Sequence, residues 1–392
     1  MNNIIKIQLA VFALVSASFT NIYLPQPVLP ILQSEFQISP VQASFAVSFV
    51  ILGIVLSNLF FGYLSDRYPV KPIIVAGGVF VAAGGFICAS TDSYAILVGA
   101  RLVQGLFIPA LTTSIAAWLA RTLPAKRLSV VMGAYVSATI LGGLGGRLLG
   151  GWIHPPLHWR YAFSTASVLI LVTTLMAVLI LPSSGKEEIA AARSSNGKET
   201  YASLLKRKEL LLVYACGAGS LLIFSPVFNY LPYRLSHPPF DLATETITLV
   251  YLVYVLGIFL GPLSGRLCGR LGGGLILICS SILLGVSLFL LLLPSITAVV
   301  VGLSGVCAGF FTLHTVAVVL LNRKLTCSHG KANALYVLCY YSGGWLGLTG
   351  AGFAYECSGW NGVIFFLSCF LIIPLSVGLI ERRAEKRAEF KV

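Results

Sequence analysis

The sequence predicts an all-α integral membrane protein of twelve transmembrane helices, arranged as two pseudo-symmetric six-helix bundles. Three observations predict it. The 392-residue chain is 57% apolar and only 10% charged, with a mean hydropathy of +0.91, whereas a soluble globular protein carries about 25% charged residues. Its apolar residues fall into runs close to the ~20 residues that a helix needs to cross a bilayer. The chain also repeats itself: Gly62-Tyr-Leu-Ser-Asp-Arg67 returns as Gly261-Pro-Leu-Ser-Gly-Arg266, each time closing one apolar run and preceding the next. Twelve spans use about 240 residues and leave about 150 for loops and tails, too few for a separate soluble domain.

The first run begins after Lys6 and superficially resembles a secretory signal. It continues through Pro25, Pro27 and Pro30, and a second run follows at once, so it reads as a first span over 6–30. Further spans are expected at 41–63, 72–91, 95–119, 128–152 and 160–181. Residues 182–208 interrupt the pattern with Lys186, Glu187, Glu188, Arg193, Lys198, Glu199, Lys206 and Arg207, as expected of a linker with some amphipathic helix at the membrane surface. The second series covers 209–232, 244–265, 273–294, 297–320, 332–355 and 360–380. The chain thus divides into an N-terminal bundle (1–181), a cytoplasmic linker (182–208) and a C-terminal bundle with a cytoplasmic tail (209–392).

An even number of spans puts both termini and the linker on one side. Of the 26 basic residues, 22 fall there; Arg160 and Arg234 lie opposite, and Arg101 and Arg147 lie within spans. Positive charge marks the cytoplasmic side, so both termini are expected inside, in a bacterial inner membrane. The net charge of +13 then reflects topology and contact with anionic lipid. Nucleic acid is excluded as a partner, since that would need a basic face on a soluble module.

The repeat extends beyond the hinges. At an offset of 201, Tyr135 meets Tyr336, Gly142-Gly143 meets Gly343-Gly344, Gly146 meets Gly347, Gly151 meets Gly352 and Trp159 meets Trp360. Six spans repeated once in parallel orientation are a building plan of membrane transporters.

Three stretches resemble signatures of the major facilitator superfamily. Gly62–Pro72 is similar to its loop Gly-x-Leu-Ala-Asp-Arg-x-Gly-Arg-Lys-Pro, matching at Gly62, Leu64, Asp66, Arg67, Lys71 and Pro72 and departing at Pro69 and Val70. The resemblance implies the major facilitator fold, and a cytoplasmic latch between halves built on Asp66 with Arg67, Lys71 and, from the second copy, Arg266 and Arg270. That copy has Gly265 where the first has Asp66, so such a latch is asymmetric. Gly62 is expected to allow close helix approach. Arg101-Leu-Val-Gln104-Gly105 resembles the family's Arg-x-x-Gln-Gly, which implies a role for Arg101 in proton coupling or substrate contact; Gln104, three residues on, shares its helix face. Gly142-Gly-Leu-Gly-Gly146-Arg147-Leu-Leu-Gly150-Gly151 resembles the drug:proton antiporter signature Gly-x-x-x-Gly-Pro-x-x-Gly-Gly, with Arg147 in place of Pro. Gly142, Gly146 and Gly150 form a small-residue stripe against which a neighbouring backbone can pack.

The acids matter by position. Eight of the 13 are placed on the inner side and five at outer loops or helix ends (Glu35, Asp92, Asp241, Glu245, Glu356), so none is expected in mid-span. With Arg101 and Arg147 as the embedded charges, the site is expected to prefer an anionic or neutral polar molecule. His314, the histidine inside a span, is a candidate proton carrier or a hydrogen-bonded core residue. Asn21, Tyr23 and Gln26 of the first span, Asn229, Tyr230, Tyr233 and Arg234 of the seventh, and Tyr251, Tyr254, Tyr336, Tyr340 and Tyr341 are candidate lining residues or interfacial anchors.

No hydrolase elbow, zincin or phosphate-loop motif occurs, so the chain is not expected to be an enzyme or to need a cofactor. The nine cysteines show no metal-ligand spacing and no metal is expected. The expectation is a monomeric secondary transporter that uses a proton gradient to export a small molecule by alternating access. A proton symporter or uniporter importing a solute is the alternative with the same fold, and a non-transporting membrane sensor or assembly protein is the other.

Overall fold

The computed structural model describes residues 2–182, 200–325 and 328–389. The charged part of the expected linker, 183–199, lies outside the described residues. Every described element is helical: α1 (Asn2–Tyr23), a 3-10 turn (Gln26–Val28), α2 (Leu29–Phe36), α3 (Pro40–Ser65), α4 (Val70–Ser90), α5 (Tyr94–Leu111), α6 (Thr113–Thr122), α7 (Ala125–Ile153) and α8 (Trp159–Ile180). There follow α9 (Tyr201–Leu205), α10 (Lys208–Leu235), α11 (Thr244–Val250), a second 3-10 turn (Tyr251–Val255), α12 (Leu256–Leu271), α13 (Gly273–Leu290), α14 (Ile296–Arg323), α15 (His329–Cys369) and α16 (Ile372–Glu389).

Ten described stretches are long and apolar enough to cross a membrane. The last of them divides where Ser358 and Gly359 leave helical geometry, Gly359 at φ 57°. The glycine-rich α7 spans 29 residues, about 40 Å. Together these make twelve rods of spanning length among the described residues. Several are broken inside the rod. Pro25 has no N–H to give the carbonyl of Asn21 and its ring crowds the preceding turn, so α1 stops at Tyr23 and resumes as α2 after the 3-10 turn. The eighth rod is likewise split, by the 3-10 turn at Tyr251–Val255. Arg147, standing where the family signature has proline, leaves α7 unbroken.

The chain forms two compact units. One comprises residues 1–38, 45–197 and 244–251, the other 39–44, 198–243 and 252–392. In the first, α1 packs on α7 and α8, and α4 on α5 and α8; in the second, α10 packs on α15 and α16, and α13 on α14 and α16. The internal plan of six rods is therefore the same twice, as the repeat requires.

Glycines set the tightest contacts. A Cβ on Gly142, Gly146 or Gly150 would fall on the carbonyl oxygen of Ser16, Thr20 or Leu24, so α7 and α1 meet backbone to backbone over two turns. Gly343 and Gly347 of α15 meet the carbonyls of Ala218 and Leu222 in α10 in the same way. The Leu222 carbonyl is one that Pro226 leaves without a helical donor. The expected role of Gly62 is corrected: its Cβ would lie 3.9 Å from Thr113 Cγ2, an ordinary contact. Close approach in that region belongs to Gly53 and Gly105, whose Cβ positions are occupied by each other's helix backbone.

Candidate functional site

In the first unit the break in α1 gathers a polar cluster. Arg101 on α5 is fully buried. Its Nε donates to the Ala46 carbonyl (2.6 Å), Nη1 to the Asn21 carbonyl (2.8 Å) and to Gln104 Oε1 (2.7 Å), and Nη2 to the Ile22 carbonyl (2.8 Å). The Asn21 carbonyl is the acceptor that Pro25 leaves without its helical donor. Gln104 in turn donates to the Val81 carbonyl at 2.9 Å. Charge-assisted bonds of this kind are roughly twice as strong as neutral ones. Arg101 therefore ties α1, α3 and α5 together and, through Gln104, reaches α4. The Asn21 side chain serves the same joint, donating to the carbonyls of Ala17 (2.9 Å) and Ala166 (3.5 Å).

Arg147, also buried, sits on the other side of the break. Its Nε donates to Gln26 Oε1 (2.7 Å) and its Nη1 to the Gly143 carbonyl (2.8 Å). The guanidinium carbon lies 4.3 Å from the Tyr23 ring centroid and 5.5 Å from that of Tyr251, within reach of cation–π attraction. The structure thus brings Asn21, Tyr23, Gln26, Arg101, Gln104 and Arg147 into one cluster. Gly151 belongs to its rim, where a Cβ would collide with Thr248 Oγ1.

In the second unit, His314, Tyr336 and Tyr340 come together. The Tyr336 hydroxyl is 3.0 Å from His314 Nδ1, and the Tyr340 ring centroid is 4.8 Å from the imidazole. They form the half-polar edge of an aromatic cluster in which Phe224 stacks on Phe310 at 3.7 Å and both rings meet Phe311. Tyr254 closes this cluster against Phe224 and Phe311, and Tyr341 lies against Tyr340. Tyr230 and Tyr233 belong to a different group, packed with Tyr355, and the Tyr230 hydroxyl donates to the Leu348 carbonyl at 3.0 Å. Asn229, on the turn of α10 between them and Phe228, is fully buried, and Arg234 lies over Phe240.

The hinge residues are also placed. Asp66 accepts from Arg121 at 2.8 Å, an ion pair inside the first unit that joins the ends of α3 and α6. Arg67 lies over Tyr63, 4.2 Å from its centroid; Lys71 is half-exposed, and Arg266 and Arg270 are exposed. Sequence reasoning missed Arg121 as the partner of Asp66, and only the basic cluster at 121–127 hinted at it. It also missed a tie at the other end of the first unit. There Glu35 accepts from Trp159 Nε1 and pairs with Arg160, which pairs with Asp92 at 2.9 Å. His154 stands beside this group with its Nδ1 buried and without a hydrogen-bond partner. Burial and the neighbouring His158 hold its pKa below the usual imidazole value, against the opposing pull of Glu35 and Glu245.

Comparison with known proteins agrees with this architecture. Residues 11–347 match the profile of the Major Facilitator Superfamily, and the chain belongs to that family. It is 28% identical over 373 residues to the inner membrane transport protein YnfM of Escherichia coli (strain K12), covering 95% of this chain and 89% of that protein. It is 27% identical over 394 residues to the MFS-type transporter YybF of Bacillus subtilis (strain 168), covering 97% and 96%. A bacterial homologue of the human lysosomal transporter Spinster, crystallised in an inward-facing, unoccupied conformation, superposes with a TM-score of 0.76 at 15% identity over 97% of each chain. The protein is a multi-pass membrane transporter of the major facilitator fold, and its family is one of transporters rather than enzymes.

Proposed function

We propose that the protein exports a small anionic or neutral polar molecule by proton-coupled antiport, in a bacterial inner membrane with both termini cytoplasmic. The observation that carries this reading is the distribution of charge. Of the ten acidic residues among those described, nine lie in loops or within about a turn of a helix end or break, and the tenth, Glu381 of α16, is paired with Lys324, whereas Arg101 and Arg147 are buried within rods of the first unit. Coulomb attraction in a partly dry site is worth about 4 kcal/mol per pair at ~4 Å, enough to decide the sign of the cargo. A cation would meet repulsion without a mid-span carboxylate to offset it.

Within that reading the two arginines divide the work. Arg101 is engaged by three backbone carbonyls and Gln104, so its part is to hold the broken α1 open at Tyr23–Gln26. Arg147, flanked by Tyr23, Gln26 and Tyr251, supplies the charge that meets the cargo. His314, in mid-span with its Nδ1 3.0 Å from the Tyr336 hydroxyl, is the group we assign to the proton. The glycine stripe of α7 and its likeness to the antiporter signature support export.

The test uses inverted and right-side-out vesicles with imposed pH gradients and a panel of labelled anions, neutral polar solutes and lipophilic cations. Uptake of an anion or polar solute into inverted vesicles, driven by an acid interior and abolished by His314→Gln, is the expected result. Uptake into right-side-out vesicles driven by an inward proton gradient would favour the symport alternative and overturn export. Thermal stabilisation of the purified protein by lipophilic cations alone would overturn the charge assignment.

A further inference from the structure

The two hinges are not built alike, and the structure shows what replaces the missing acid of the second. In the first unit a Cβ on Gly62 would lie 3.9 Å from Thr113; four residues after Gly62 comes Asp66, eight after Thr113 comes Arg121, and these two form the ion pair. In the second unit a Cβ on Gly261 would lie 3.8 Å from Thr315. Counting the same four and eight residues leads to Gly265 and Arg323, so the cation is kept and the acid is gone.

Carboxylates reach this hinge from the far end of the chain instead. Glu381 on α16 is buried and pairs with Lys324, the residue after Arg323, at 2.9 Å. The Lys324 carbonyl accepts from Arg207 at 2.8 Å, which brings the segment before α10 into the same knot. One turn further along α16, Glu385 Oε1 accepts the Gly274 amide N–H at 3.1 Å, in the first turn of α13. That amide is one of the donors a helix start leaves unpaired, and a carboxylate there is favoured by the helix dipole.

The run Gly272-Gly-Gly274, which the repeat and the loop signature leave unexplained, fits this docking residue by residue. Gly272 turns the chain at φ 86°, in the region that favours glycine, and a Cβ on it would lie 2.7 Å from Glu385 Oε2. A Cβ on Gly273 would lie 2.8 Å from Leu320 of α14. A Cβ on Gly274 would collide with the backbone of Arg382, so its absence lets α16 lie directly on the start of α13.

We infer that Glu381 and Glu385, in the C-terminal half of α16, are positioning residues of the second hinge and stand in for the acid that Asp66 provides in the first. The last rod is thereby coupled to the α12–α13 turn and to the end of α14, and the segment after residue 380 is a working part of the hinge rather than a tail that only fixes topology. Nothing in this depends on the cargo or on the direction of transport.

Hydrogen–deuterium exchange of the full chain in lipid nanodiscs tests it. Glu385→Gln, which leaves the Lys324–Glu381 pair intact, is expected to speed exchange of amides in 272–276 about tenfold, and Glu381→Gln/Glu385→Gln to extend the loss over 261–276. Amides of the first hinge, 62–71, are expected to keep their rates in both, and Arg387→Gln to change neither hinge. Adding Gly265→Asp to the double variant is the deciding step, because a Cβ at Gly265 meets nothing within 4 Å. The new carboxylate is expected to pair with Arg323 and restore protection in 261–270, which a general loss of stability would not allow. Unchanged exchange at 272–276 in Glu385→Gln, equal loosening of both hinges, or no recovery with Gly265→Asp would each overturn the assignment.

Discussion

At the scale of single residues, a buried arginine in a membrane protein invites a reading as a substrate ligand, and the geometry separates two cases. Arg101 spends its N–H groups on three main-chain carbonyls and on Gln104, so its removal takes a buried donor from each of them, including the Asn21 carbonyl that Pro25 leaves without a helical partner. Arg101→Ala is expected to cost about 3 kcal/mol, read as a lower unfolding temperature in detergent. Arg101→Lys is expected to recover little, because one ammonium lacks the planar fork that reaches all four acceptors. His154 offers a test outside the spans. Its pKa is depressed in the folded protein, so the unfolded chain binds the extra proton first. Its stabilising contribution is whole above the ordinary imidazole value near 6.5 and is lost as pH falls below it. Melting curves between pH 7.5 and 5 are expected to be steeper in pH for the parent than for His154→Gln. The sequence showed Arg101 and Gln104 as a pair on one face, and they are. It could not show the acceptors, because the carbonyls of Asn21 and Ile22 become available only when the chain breaks at Pro25 and α5 passes the break.

At the scale of elements, glycine spacing carries the packing. The stripe at 142, 146 and 150 was legible because a period of four residues stays on one helix face whatever the surroundings. Its partner, α1, and the matching stripe of carbonyls at Ser16, Thr20 and Leu24 came only with the fold. Gly146→Ala is expected to force α7 off α1 and to cost about 1–3 kcal/mol by overpacking. Gly99→Ala, at an exposed α5 position where a Cβ meets nothing within 4 Å, is expected to be neutral or to gain up to about 1 kcal/mol from helix propensity. Equal melting temperatures for the two variants would remove the close-packing account. The glycine in the hinge signature was the counter-example. Gly62 looks like a packing glycine beside Asp66 and Arg67, yet its Cβ position is open, and the contact that needs glycine lies nine residues earlier at Gly53.

At the scale of the whole molecule, the hinge ion pair is where stability and transport part company. Asp66 and Arg121 are about a third and a fifth exposed, so their pair contributes roughly 0–1 kcal/mol to stability. Asp66→Asn is accordingly expected to leave membrane insertion and melting temperature nearly unchanged while lowering the transport rate in proteoliposomes. A rate equal to that of the parent would show that the loop only sets topology. The aromatic cluster of the second unit was less visible beforehand than the first unit's polar cluster. Tyr336, Tyr340 and His314 stood out singly, but Phe224 and Phe310 are 86 positions apart in the numbering and nothing local to either announces their stacking.

By itself the sequence determined the class of the protein, the number of its spans and the doubling of its plan. Hydropathy, basic-residue bias and repeated motifs are properties of short windows, and the bilayer allows few ways to satisfy a chain of apolar windows. The tertiary structure alone decided which donor meets which acceptor: Arg101 with the carbonyls around the α1 break, Arg121 with Asp66, Glu381 with Lys324, and Glu385 with the start of α13. Those choices depend on where helices stop and how closely glycines let them approach, and both are settled only when residues far apart in the chain are packed together.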